Sequence, residues 1–133
     1  MKNTYPKTEK LKSKHTIDLL FSDGKTVSKY PLRLVYVALH EDETEPIKMG
    51  VSVSKKYFKK AVDRNYYKRV LRETYRLNKN LLLAHSEKKY SFMLFYQTKD
   101  RLSYQEINDK TIMLFQKFVD VEFPKNQTST APK

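Results

Sequence analysis

One segment constrains the fold of this chain more than any other. Residues 59–84 contain neither glycine nor proline and predict one long helix. At about 100° per residue, six positions fall on one face that could pack on a sheet: Tyr67, Val70, Leu71, Thr74, Leu77 and Leu81. An adjacent face carries mostly cations: Asn65, Lys68, Arg69, Arg72, Arg76 and Lys79. The helix therefore needs an apolar layer along one side and water or a polyanion along the other.

The positive charge of the chain is concentrated around this helix. The 133 residues hold 27 Lys and Arg against 15 Asp and Glu, and residues 55–79 alone account for +8 of the net +12. Asp63 and Glu73 are too few to neutralise the neighbouring cations, and like charges one helical turn apart repel. We therefore expect this segment to bind a polyanion, with a merely solvated face or a membrane-surface helix as alternatives.

The other regular segments predict an α+β sandwich. Ser103 and Glu106 have the spacing of a capping box at the start of a last helix, and Gly24 is expected to end a first one. The segments are, in order, a helix at residues 12–22, extended stretches at 27–39 and 47–54, the long helix, a strand at 90–97 and the last helix.

The predicted domain is single and spans residues 11–122. We expect residues 1–10 to form a flexible extension and residues 123–133, rich in Pro, Thr, Ser and Lys, to form a disordered tail. No secretory signal is visible, and no apolar run reaches the roughly 18 residues of a membrane span. A cytoplasmic protein without a membrane partner is expected.

The sequence offers no catalytic residues of its own. Cysteine is absent, and His15, His40 and His85 lie in different segments without ligand spacing. The acidic stretch at residues 41–45 is a weak candidate for Mg²⁺, because flexible surface acids usually only bind water. A protein nuclease is therefore disfavoured.

Two strings in the chain resemble a known family. Residues 52–56 (SVSKK) and residues 61–73 (AVDRNYYKRVLRE) resemble the protein subunit of bacterial ribonuclease P, whose pattern is SVSKK, a short gap, then AVxRNRxKRxxRE. Upstream, Phe21 and Gly24 lie where that family has its first helix and turn. The resemblance extends over residues 10–120, and the motif is long and unusual in charge, so chance agreement is improbable.

The resemblance implies a fold and a function. The fold is a two-layer sandwich of order αβββαβα, with three helices on a four-stranded sheet, like the second domain of ribosomal protein S5. Its crossover through the basic helix is left-handed, against the usual rule. In the family, the catalytic RNA subunit holds the Mg²⁺, while the protein binds that RNA and the 5′ leader of precursor tRNA. The resemblance thus implies the protein subunit of a ribonucleoprotein endoribonuclease, which assists removal of the leader to give the mature 5′ end of the tRNA. The protein alone is expected to be monomeric. The alternative is a general RNA-binding or ribosome-associated protein without a role in cleavage.

Site residues follow from the same resemblance. The motif positions expected to contact the RNA subunit are Arg64, Asn65, Lys68, Arg69 and Arg72, extended by Lys55, Lys56 and Arg76. Phe21 and Tyr36 are the candidates for leader binding, with plain core packing as the alternative for both. The sequence departs from the pattern twice: Tyr66 replaces the second arginine of the motif, and Ile17 replaces an aromatic residue of the first helix.

Overall fold

The computed structural model describes residues 20–38, 47–83 and 89–123. The predicted N-terminal extension, Ile17, the three histidines, the acidic stretch 41–45 and the predicted tail from residue 124 onward lie outside these residues.

The order of elements is the one that the resemblance implies. A first helix, α1, is described at residues 20–23. It is followed by β1 (Lys25–Lys29), β2 (Leu32–Ala38), β3 (Ile47–Val53), α2 (Ala61–Leu83), β4 (Tyr90–Tyr96) and α3 (Tyr104–Glu122). The predicted αβββαβα sandwich is thereby confirmed.

The four strands form one mixed sheet in the order β1-β2-β4-β3. β1, β2 and β4 pair antiparallel, whereas β3 and β4 are parallel neighbours joined through α2. The left-handed sense of this crossover stays a prediction of the resemblance.

The extended stretch predicted at residues 27–39 is two strands rather than one. A turn at Tyr30 and Pro31 reverses the chain, and Val27 then pairs with Leu34. Pro31 lacks an N–H, but its carbonyl accepts the Gln97 N–H at 2.8 Å. Tyr30 continues the even-numbered alternation of Leu32, Leu34 and Tyr36, so the pattern alone does not mark the hairpin.

Both long helices pack on the same face of the sheet, which we call the inner face. α2 lies over β3 and α3 over β1 and β2. The inner core contains Leu34, Leu94 and Phe118 among its fully buried side chains. The hydroxyls of Thr74 and Thr111 are hydrogen-bonded at 3.1 Å and join the two helices inside this core.

The buried face of α2 is rotated relative to the prediction. It consists of Tyr67, Val70, Leu71, Thr74, Tyr75, Lys79 and Leu82. Leu77 is 40% exposed, whereas Lys79 is only 3% exposed, with its Nζ 6.0 Å from the centre of the Tyr75 ring. Contacts with β3 on one side and α3 on the other set this rotation, and a lysine tolerates it because its stem is apolar.

The opposite, outer face of the sheet receives α1. Leu20 and Val35 are buried there. Gly24 follows the last residue of α1, as predicted. A Cβ at this position would lie 2.2 Å from the Leu20 carbonyl oxygen and 2.7 Å from Val35 Cγ1, so the close packing here requires glycine. The missing side chain lets the end of α1 approach β2.

The last helix begins as predicted. Ser103 accepts the Glu106 N–H at 3.1 Å, and the Glu106 carboxylate accepts the Ser103 N–H at 2.9 Å. At the other end, the Phe123 ring contacts those of Phe118 and Tyr90. The folded domain thus includes one residue beyond the predicted boundary at residue 122. Within the described part of the chain, no helix is both long and apolar enough to cross a membrane.

Candidate nucleic-acid interface

A compact loop of lysines connects β3 to α2. The Ser54 hydroxyl accepts the Lys56 N–H at 3.0 Å, and the Ser54 carbonyl accepts the N–H groups of Tyr57 and Phe58 at 3.1 and 3.2 Å. Phe58 is buried and stacks on Tyr67, with ring centres 4.9 Å apart. This anchor leaves four exposed cations on the loop: Lys55, Lys56, Lys59 and Lys60.

Arg64, the first arginine of the motif, bends back onto this loop. Its Nη1 donates to the carbonyl oxygens of Phe58 at 2.9 Å and Lys59 at 2.8 Å. The side chain is half-buried. At least one terminal nitrogen of Arg64 is therefore hydrogen-bonded to the backbone of the loop.

The helix presents the other motif residues side by side. Asn65, Arg69 and Arg72 are exposed, and Lys68 is half-buried on the same face of α2. We call these four residues, together with Lys55 and Lys56, the basic surface. The structure thus brings together six of the eight residues that the sequence predicts for binding the RNA subunit.

Arg76 lies on the same helix face but already has a carboxylate partner. Its Nε donates to Glu73 Oε1 at 3.0 Å, and this hydrogen bond lowers the pKa of the Glu73 carboxyl. Since Lys79 is buried one turn farther on, the strongly cationic part of the face ends near Arg72. We therefore leave Arg76 out of the basic surface.

The tyrosine that replaces the second arginine of the motif has a clear position. Tyr66 is partly exposed, and its ring contacts Tyr67 edge-on at 4.9 Å. The Arg69 guanidinium lies over the Tyr66 ring, 5.9 Å from its centre. Tyr66 therefore supports an arginine of the basic surface through a cation–π contact.

Arg101 is a cation near this interface that sequence reasoning missed. It donates to Asp63, with Nη2 and Oδ2 3.1 Å apart, and this hydrogen bond lowers the pKa of the Asp63 carboxyl. Its guanidinium also lies 5.3 Å from the centre of the Phe58 ring. Arg101 and Asp63 are far apart in the chain, so no local spacing indicates the pair.

A second cluster occupies the outer face of the sheet. Phe21 is 64% exposed, which excludes the core-packing alternative for this residue. Its ring contacts that of Phe95 edge-on at 6.3 Å, and Arg33 lies 5.6 Å over the centre of Phe95. We call Phe21, Arg33 and Phe95 the outer-face cluster. Arg33 and Phe95 are directly paired across β2 and β4, a register that the sequence alone does not indicate.

Tyr36, the other predicted leader-binding residue, lies on the inner face. It is 2% exposed, and its hydroxyl donates to Glu122 Oε2 at 2.6 Å. Burial and this hydrogen bond raise the pKa of the Tyr36 hydroxyl well above its usual range. A ring enclosed in this way offers no free face to a base, so core packing is its role and Tyr36 is removed from the candidate site.

The described residues contain no evident metal centre. Nowhere in residues 20–38, 47–83 and 89–123 do three or more His, Asp or Glu side chains gather as ligands. The weak sequence candidate at residues 41–45 lies outside these ranges. The described surfaces consist instead of cations and aromatic rings, which suit phosphates and bases.

Known proteins with similar sequences share one name. A family model described as Ribonuclease P matches residues 5–119. The ribonuclease P protein component of Porphyromonas gingivalis is 41% identical over 98 residues, covering 72% of this chain and 72% of the relative. That of Chlorobaculum tepidum is 39% identical over 83 residues, covering 60% of this chain and 54% of the relative.

Solved structures show the same fold. The RNase P protein of Staphylococcus aureus aligns with a TM-score of 0.68 at 19% identity, covering 83% of this chain and 94% of that chain. The RNase P protein of Thermotoga maritima aligns with a TM-score of 0.66 at 22% identity, covering 82% and 96%. With the family model matching most of the sequence, the chain belongs to the ribonuclease P protein family.

Proposed function

We propose that this chain is the protein component of ribonuclease P and uses two separate surfaces. The basic surface binds the RNA subunit, and the outer-face cluster binds the 5′ leader of precursor tRNA. The observation that carries this proposal is that the two clusters lie on opposite layers: cations on α2 and its loop, and the exposed Phe21 ring with the half-buried Phe95 ring on the outer face of the sheet.

The basic surface suits a folded RNA because it can neutralise several phosphates at once. The guanidinium groups of Arg69 and Arg72 can each donate two parallel hydrogen bonds to one phosphate. Lys55 and Lys56 add point charges on the loop that precedes α2. Glu73 and Asp63 are engaged with Arg76 and Arg101, so neither carboxylate neutralises these cations.

The outer-face cluster suits a single strand of variable sequence. Phe21 is exposed, and its ring contacts that of Phe95 edge-on. A base of any identity can therefore stack on the Phe21 ring. Arg33, held over the other ring, supplies a charge for the backbone of the same strand. Binding of this kind selects for a single strand rather than for a particular sequence.

The chemistry belongs to the RNA in this proposal. Mg²⁺ held mainly by the RNA subunit would supply metal-assisted attack of water on the scissile phosphodiester. The described residues of the protein bind and orient the two RNAs and take no proton. We further propose that the protein alone is a monomer and acts in the cytoplasm.

Reconstitution tests this proposal. The purified protein is mixed with a cognate ribonuclease P RNA, and cleavage of precursor tRNA is measured at low Mg²⁺ with the RNA alone as the reference. We expect the protein to accelerate cleavage at the mature 5′ end. A protein that binds the RNA tightly without accelerating cleavage would instead be a general RNA-binding protein.

A further inference from the structure

Arg64 differs from the other motif arginines in where its side chain points. The basic surface presents its arginines to solvent, whereas Arg64 Nη1 lies between the carbonyl oxygens of Phe58 and Lys59, at 2.9 and 2.8 Å. These carbonyls lie three and two residues before α2, which begins at Ala61. The contact is therefore with the backbone of the loop that carries Lys55, Lys56, Lys59 and Lys60, which we call the lysine loop.

The loop is held by several contacts besides the Arg64 side chain. Its first half is closed by the Ser54 carbonyl and hydroxyl, and the Phe58 ring is stacked on Tyr67 in the core. Beyond Phe58, the chain continues through two exposed lysines, Lys59 and Lys60. The Lys60 carbonyl accepts the N–H groups of Asp63 and Arg64 at 3.1 and 3.2 Å, and the Arg64 side chain holds the two carbonyls that precede it.

The carbonyls also have an electrostatic role near an RNA. A free carbonyl oxygen carries partial negative charge and would oppose a phosphate that approaches the loop. Arg64 satisfies both oxygens with one nitrogen and keeps them directed toward the guanidinium. The lysine side chains are then the groups that the loop presents outward.

We infer that Arg64 is a positioning residue, which acts on the RNA subunit by holding the loop of Lys55, Lys56, Lys59 and Lys60 in its binding conformation. The inference rests on the proposed function, because it takes the lysine loop to be an RNA contact. It departs from the motif-based expectation that Arg64 contacts the RNA directly.

A double-mutant cycle separates the two roles. The full-length protein is prepared as Arg64→Ala, as a loop variant with all four lysines changed to Gln, and as the combination. If Arg64 acts through the loop, Arg64→Ala should weaken binding of the RNA subunit about tenfold in the protein with the native lysines. In the protein whose four loop lysines are Gln, the same substitution should weaken binding less than about twofold. If Arg64 contacts phosphate itself, both losses should be alike, which would overturn the inference.

Arg72→Ala is the matched control. Arg72 lies two turns farther along α2, about 12 Å from Arg64 along the helix axis, so its loss should be the same in both loop backgrounds. A Gln loop that binds as tightly as the native one would also overturn the inference. If Arg72→Ala and the Gln loop both left binding unchanged, the proposed function itself would fail.

Hydrogen exchange gives a readout without RNA. The Tyr57 and Phe58 amides, both bonded to the Ser54 carbonyl, should lose protection about fivefold or more in Arg64→Ala but not in Arg72→Ala. Unchanged protection would contradict the inference. If the Arg64→Ala variant does not fold, Arg64→Met takes its place in the binding and hydrogen-exchange experiments, because methionine keeps the apolar stem without the hydrogen-bond donors.

Discussion

At the scale of single residues, Arg72 and Arg76 show how a neighbour decides what a cation can bind. Both lie on the same face of α2, one turn apart. Arg72 is exposed, whereas Arg76 is bonded to Glu73 at 3.0 Å. The same residue type on the same helix therefore offers an internal comparison.

The first prediction uses this comparison. Arg72→Ala should weaken binding of the RNA subunit by about 1–3 kcal/mol, because it removes a guanidinium available to phosphate. Arg76→Ala should cost clearly less, since it removes a charge already neutralised by Glu73. Filter binding at fixed salt measures both. Equal losses would mean that RNA displaces Glu73 from Arg76.

The second prediction concerns Phe21. Phe21→Ala should weaken binding of precursor tRNA by about 1–3 kcal/mol, because it removes a stacking surface. Binding of the RNA subunit and the melting temperature should stay nearly unchanged, since Phe21 is largely exposed. The loss should vanish with a substrate whose leader is too short to reach the outer face.

Tyr30 provides the control for Phe21. It is also an exposed aromatic residue, but it lies in the β1–β2 turn, where it lines a cleft together with Pro31 and Met113 of α3. Tyr30→Ala should leave leader binding unaltered. Equal losses in the two variants would indicate a diffuse effect of surface aromatic residues rather than a leader site.

At the scale of elements, one glycine fixes the position of α1. The third prediction is that Gly24→Ala destabilises the protein by about 1–3 kcal/mol, because the added methyl group would meet the Leu20 carbonyl and Val35. Since α1 carries Phe21, leader binding should weaken as well, while binding of the RNA subunit persists in the folded fraction. Urea unfolding and both binding assays test this; an unchanged midpoint would refute the close approach.

The pair of Asp63 and Arg101 connects the start of α2 to the segment between β4 and α3. Tyr96 also holds that segment: its hydroxyl accepts the Leu102 N–H at 3.2 Å, and burial raises its pKa to about 12. The hydrogen bond from Arg101 holds the pKa of Asp63 below its ordinary 3.8. The stabilisation is therefore present above that value and lost as pH falls through the lowered pKa.

The fourth prediction follows from this sign. Arg101→Gln should lower the melting temperature slightly at neutral pH, because the Arg101 side chain is largely exposed and solvent screens the pair. The difference from the native protein should begin to shrink as pH falls below 3.8, the ordinary pKa of Asp63, and should disappear once pH lies below the lowered pKa of Asp63 in the folded protein. Thermal melts across the acidic range measure it. A difference that stays constant to low pH would indicate lost packing on Phe58 instead of lost charge.

The sequence predicts a feature well when the residues that form it are close together in the chain, and poorly when they are far apart. The capping box of Ser103 and Glu106 is local and was predicted correctly. The core position of Tyr36 depends on which face of the sheet is covered by the helices, and the exposure of Phe21 depends on how α1 packs, so the sequence leaves both alternatives open. The partnership of Arg33 with Phe95 requires the register of two strands that are distant in the chain. The bent conformation of Arg64 depends on carbonyls that no spacing indicates.

At the scale of the whole molecule, the fifth prediction concerns salt. About five phosphate contacts should give a slope of log affinity for the RNA subunit against log salt of roughly −3 to −5. Arg72→Ala should reduce the magnitude by about 0.7–0.9, and Phe21→Ala should leave it unchanged. A slope near −1 for the native protein would show that the basic surface is not its main RNA contact.

The pairing of β2 with β4 also limits how relatives of this chain can differ. Along β2, Leu32 and Leu34 enter the core while Arg33 between them faces outward; along β4, Phe95 does the same between Leu94 and Tyr96. Deleting or inserting one residue in either strand would exchange the two sets, placing Arg33 or Phe95 in the core and a core residue on the outer face. Substitutions can accumulate in these strands, but gaps in an alignment of functional relatives should fall outside them.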